Sequence, residues 1–215
     1  MRAGRDPVSS QSAAVWMLVL AAAILPTELG SGHAAASDVA TVLGAALAAV
    51  AASAVVLSWR PRASVVIVTA ALCTAGAAAI HFAVTNEHFR EWWGFGLFFL
   101  CAAWAQLVWA AAVVRVRSYP LLVVGLVGNL GVVLLWLVTR TAGLPFGPDP
   151  GEVEAFGWAD GISSAFEVWA ACCCAFVLAR PVVAARVRIA PLLVALPTAT
   201  LTAVGVADAV SGHAH

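Results

Sequence analysis

The chain contains no lysine, only two methionines, and charge on just 10% of its residues. Each shortage excludes something. With 63% of the residues hydrophobic, there is too little polar side chain to clothe a soluble domain. Eleven arginines balance eleven acids to a formal charge of zero, so no overall positive field attracts nucleic acid. Met1 and Met17 are too few for a thioether relay carrying Cu(I). No Cys-x-x-Cys and no His-Glu-x-x-His occurs, which removes the commonest redox and zinc-peptidase signatures. Cys73, Cys101 and the run Cys172, Cys173 and Cys174 all fall in apolar stretches, where they read as small packing residues rather than a disulfide framework. No nucleophile, base and orienting group can be tied together by spacing, so nothing supports an enzyme.

What the chain does have is a succession of long apolar runs. A hydrocarbon core of roughly 30 Å takes about 20 residues of helix, and helix is favoured because it satisfies its own backbone in lipid. Runs of this length lie at 39–59, 64–84, 93–114, 119–138, 159–179 and 189–210. A shorter one at 13–25 follows Arg2 and Arg5 and stops near Pro26, which is also how a secretory signal begins. Cleavage after Ala34-Ala35-Ala36 would leave Ser37 almost at the next run, so an uncleaved first helix is expected. The fold class is therefore all-α, a single polytopic bundle over 1–215 with about seven spans, or six with a cleaved signal. Short tails are expected at 1–12 and 211–215, and Gly125, Gly128 and Gly131 within one span are expected to admit a neighbouring helix.

Basic loops stay cytoplasmic. Nine of the eleven arginines fall on alternate breaks, leaving only Arg90 and Arg140 opposite. This places the N-terminus inside, the C-terminus outside, and the chain in the cell membrane. The acids segregate the other way, with ten of eleven, and all five histidines, on the outer side or in outer halves of spans. Proton, metal or cationic chemistry is therefore expected outside.

An ionisable group inside a span is costly enough to be a candidate site. Glu167 lies deepest, with Asp160 seven residues earlier on the same helical face, and His81 is followed by His88 at the same interval. Seven residues rise about 10.5 Å, too far for one ion to bridge His81 and His88 on one helix. Closer pairs, His88 with Glu91 and Glu87 with Glu91, fit one ion if Asp160 or Glu167 arrives from another helix. This donor set suits zinc, iron or manganese better than Cu(I), with Cu(II) or Zn(II) at His213 and His215 a looser option. Bis-His haem needs His81 with His33 or His213. The stretch Glu87 to Glu91 also reads simply as a solvated interfacial turn.

Other residues have structural readings. Trp92, Trp93 and Trp158 suit interfacial anchors, whereas Trp104, Trp109, Trp136 and Trp169 read as packing. Gln106 and Asn129 sit near mid-membrane and are expected to hydrogen-bond across the bundle. Arg140 is a candidate partner for Asp160, Glu167 or Glu91. The Pro- and Gly-rich connection 140–157 reads as an outer lid, and Pro197 is expected to free a carbonyl that Thr198, Thr200 or Thr202 can satisfy.

The residues His81 to Trp93, Phe98-Phe99, Gln106, Trp109, Asn129, Arg140-Thr141, Gly143-Leu144-Pro145, Gly147-Pro148, Glu152 and Asp160 resemble a family of multi-span membrane proteins from high-GC, actinobacterial-type genomes. The resemblance covers roughly 80–179 and implies a membrane location, with no assigned activity, cofactor or site. Three functions fit the residues: an outward-facing His/carboxylate site for a metal ion or metal cofactor, a proton-coupled transporter or channel using Glu167, and a structural subunit of a membrane complex.

Overall fold

The computed structural model describes residues 64–187 and 192–210. The expected helices at 13–25 and 39–59, both tails, and His33, His213 and His215 lie outside these residues. Within them the chain forms six helices and no strand: α1 (Val65–Glu91), α2 (Trp93–Arg115), α3 (Tyr119–Thr141), α4 (Trp158–Ala179), α5 (Pro181–Arg186) and α6 (Leu192–Val210). All except the short α5 are long and apolar enough to cross a membrane. Each of these five coincides with an expected span, as a multi-pass helical protein requires.

The arrangement follows from side-chain size. α1 is apolar all round and buried along most of its length, the pattern of a central helix. Ala70, Ala71, Ala77 and Ala78 on α1 are 2% exposed or less, and such small residues let neighbouring backbones approach closely. α2, α4 and α6 pack around it, while α3 packs chiefly on α4. At Gly125 the Trp109 indole from α2 occupies the place of a side chain, only 2.1 Å from an added Cβ, and its Nε1–H donates to the Leu121 carbonyl at 2.8 Å. Gly128 and Gly131 meet nothing within 4 Å among the described residues, so the expected close approach is seen at Gly125 alone.

α1 runs seven residues beyond the expected end at residue 84. Lipid thickness limits the apolar stretch but not the helix, and the segment Thr85 to Glu91 contains neither Gly nor Pro to stop it. Trp92, with φ −160° and ψ 135°, ends α1 in extended backbone while its N–H still bonds the His88 carbonyl at 2.9 Å. The stretch expected as a possible solvated turn is thus helical. His88 and Arg90 fall in its last turn, where a cation meets the negative end of the helix dipole.

The two ends of the bundle differ in charge. Glu87, Glu91, Asp149, Glu152, Glu154, Asp160 and Asp208 gather where α1, α3 and α6 finish and α2 and α4 begin, joined there by Arg90 and Arg140. Arg115, Arg117, Arg180 and Arg186 mark the opposite end. At the acidic end Asp208 Oδ2 of α6 accepts the Ala159 N–H of α4 at 2.9 Å. Gly157, at the N-cap, offers no side chain, so an acid from another helix takes an amide that a local cap would normally hold. At the arginine end the Ser64 hydroxyl donates to the Ala184 carbonyl of α5 at 2.8 Å.

In α6 the Thr198, Thr200 and Thr202 hydroxyls each donate to the carbonyl four residues back, at 2.8, 3.0 and 2.7 Å. None of the three reaches the Leu193 carbonyl, the one that Pro197 inside the helix leaves without its usual amide, so the expected repair is not made by these hydroxyls. The α3–α4 connection is tied down rather than loose. Gly143, at φ +70°, turns the chain out of α3, Gly151 N–H bonds the Leu144 carbonyl at 2.7 Å, and Glu154 N–H returns to the Thr139 carbonyl at 3.0 Å. The connection also reaches the α1–α2 junction, with the Phe146 ring 6.3 Å from that of Trp92.

Candidate functional site

The deepest polar contact joins three helices. His81 of α1 lies with Nε2 3.0 Å from Glu167 Oε1 of α4, and the Gln106 amide of α2 donates to the same oxygen at 2.7 Å. Glu167 is 0% exposed, His81 4% and Gln106 8%, so all three are withdrawn from the surroundings. At 1.5 Å per residue, Glu167 stands roughly 13 Å from the start of α4 and His81 roughly 15 Å from the end of α1, close to the middle of a bilayer-thick bundle. His81 thus stands ten residues before the end of α1 rather than near it, because the helix continues past the apolar run.

The cluster is chemically lopsided. Glu167 Oε1 takes two partners, whereas Glu167 Oε2 and Gln106 Oε1 are buried and accept no hydrogen bond from the described residues. The Gln106 amide N–H donates to this carboxyl oxygen, and an imidazole at 3.0 Å can share a proton with it. With the proton on Nε2 the ring donates to a carboxylate. With the proton on Glu167, a bare Nε2 accepts from a neutral acid. Either arrangement keeps the contact, so a proton can shift between the two groups without moving a helix.

The other candidates form separate groups. His88 Nδ1 pairs with Glu91 Oε2 at 3.0 Å near the end of α1, while Glu87 is exposed. Asp160 does not share in the Glu167 cluster: it pairs with Arg140, which also holds Glu154 and donates to the Thr139 hydroxyl at 2.8 Å. Of the three partners expected for Arg140, Asp160 is the one found. Glu154 was not foreseen, since nothing in the loop sequence says how the chain folds back. Among the described residues no three His, Cys, Asp or Glu side chains stand close enough to hold one metal ion.

The two mid-membrane amides part company. Asn129 donates to the Gly125 carbonyl of its own helix at 2.7 Å and accepts from the Thr74 hydroxyl at 3.5 Å. Gln106, expected as a structural bond, belongs to the Glu167 cluster. Trp93 and Trp158, 64% and 68% exposed at the acidic end, suit interfacial anchors, and Trp109 lies in the core.

Arg140 acts as a two-carboxylate clamp on the connection after α3. A guanidinium can address two acids at once, whereas an ammonium is a single point charge. Arg140→Lys is expected to lower stability by about 1 kcal/mol, the modest effect of a partly exposed ion pair. Limited proteolysis should show faster cleavage within 142–157 in that variant. Equal cleavage of variant and wild type would mean that the backbone bonds hold the connection unaided.

Comparison with protein-family models, curated proteins and solved structures found no match.

Proposed function

We propose that this is a membrane protein that takes up and releases a proton at the buried His81–Glu167 pair, as a proton-coupled transporter or channel. The observation that carries the reading is the pair itself, 3.0 Å apart in the interior of three helices, with one carboxyl oxygen shared by Gln106 and the other without a hydrogen-bond partner among the described residues. A bridge serving only to hold helices together gains most when every lone pair is matched, because each unmatched buried acceptor costs about 1–3 kcal/mol. Here two are unmatched. Intramembrane ionisable groups in such surroundings commonly mark proton or ion paths.

A metal-handling site draws on the same residues but needs a third donor, and the described candidates meet only as His/carboxylate pairs. Proton exchange needs two groups, which is why it takes precedence. The distribution of arginine supports a setting in the cell membrane with the acidic end outward.

The test is proton flux into proteoliposomes followed with an internal pH dye. Wild-type protein should dissipate an imposed pH gradient faster than empty vesicles, and Glu167→Gln, which keeps the shape but cannot ionise, should bring the rate to the empty-vesicle level. Equal flux with Glu167→Gln overturns the reading and favours an accessory subunit. Stoichiometric zinc, iron, manganese or copper in the purified protein, lost on His81→Ala, would replace it with the metal-site reading.

A further inference from the structure

The buried pair is linked to the acidic end by an ordered set of rings. The Phe99 ring of α2 stacks on His88, with centroids 4.2 Å apart and planes within 7°, and it also meets His81 at 5.4 Å and 52° and Phe98 at 5.4 Å and 78°. One phenyl ring thus touches both imidazoles. His81 and His88 are seven residues apart on α1, a rise of about 10.5 Å that returns to nearly the same face. Side-chain exposure falls steadily inward, from 44% at Glu91 and 23% at His88 to 5% at His81 and 1% at Glu167.

Charge and geometry distinguish the outer pair from its surroundings. Arg140, Asp160 and Glu154 are held to one another, and Asp208 caps α4. Glu87 and Arg90 lie on exposed parts of α1. His88, half-buried and bonded to Glu91, stacks on the same ring that meets the buried histidine. A phenyl ring carries no proton and accepts no conventional hydrogen bond, so while it lies between the imidazoles no hydrogen-bonded chain joins them there.

We propose that His88 and Glu91 collect protons for the buried pair and that Phe99 is the barrier between them. This rests on the reading of proton exchange at His81 and Glu167 and adds its route. The step is a proton transfer alone, relayed by water admitted when the Phe99 ring turns aside: an N–H bond on His88 breaks, each water passes on one proton as it receives another, and an O–H bond on Glu167 or an N–H bond on His81 forms.

The experiment is a flash-induced pH drop on the full chain in lipid nanodiscs, with the protonated-carboxyl C=O stretch of Glu167 followed by time-resolved infrared absorption. Glu167→Gln identifies the band. Phe99→Ala should speed its rise about tenfold with unchanged final amplitude, and His88→Phe, which keeps a stacking ring but has no titratable nitrogen, should slow it about tenfold. Phe99→Leu, closer in volume, should also be faster and serves where alanine impairs folding. Wild-type rates in the Phe99 and His88 variants, or slower uptake without the Phe99 ring, overturn the route while leaving the buried proton in place. A wild-type protein with no such band overturns the proton reading itself, and the route with it.

Discussion

Replacing His81 with leucine is expected to destabilise the protein by about 3–5 kcal/mol, the cost of stripping the partner from a buried charge. Glu167 would keep only the Gln106 amide on Oε1, in a position that is 0% exposed. Adding Glu167→Leu to His81→Leu should recover most of the stability, since apolar residues of similar volume often replace a buried ion pair with no net loss. Equilibrium unfolding of the single and double variants in mixed micelles checks both steps. The double variant separates folding from function, because it should be well folded and yet carry no proton. If His81→Leu alone costs nothing, the buried pair contributes nothing to stability.

The second large effect is expected at Gly76, where α1, α4 and α6 converge. A Cβ there would stand 2.6 Å from Thr202 Oγ1 and 2.8 Å from Phe166 Cε2. Neither neighbour yields easily. The Thr202 hydroxyl is bonded to the Thr198 carbonyl at 2.7 Å, and Phe166 is 5% exposed within a packed cluster. Gly76→Val should therefore cost about 1–3 kcal/mol through overpacking, and Thr202→Ala in the same chain should return part of it by removing one contact. The same unfolding measurement serves. A neutral Gly76→Val would mean that the three helices do not meet here as described.

Much of the fold was readable from the chain because a bilayer imposes one length on every span. That rule places the five long helices to within a few residues, but it says nothing about where a helix stops once outside the hydrocarbon, hence the unforeseen reach of α1 to Glu91. Glu167 and His81 could be singled out because an ionisable group in an apolar run has few acceptable surroundings. Gln106 could not be assigned in the same way. A neutral amide satisfies itself equally well on a carbonyl, another amide or a carboxylate, and only the packing of α2 against α1 and α4 decides. Asp160 was legible as a partner for Arg140, and its separation from Glu167 is geometric: sharing a helical face leaves it two turns away, closer to the arginine that ends α3. The Phe99 sandwich had no sequence signature beyond the presence of aromatic residues at the start of α2.

The bond from Asp208 to the first turn of α4 bears on biogenesis. Some fifty residues separate the two partners in the order of translation, and about thirty of them follow the last turn of α4. The Ala159 amide, in the first turn of α4, must rely on water or lipid headgroups until α6 seats beside it. Docking of α6 therefore closes the acidic end of α4, and a chain that stops before Asp208 leaves that end open.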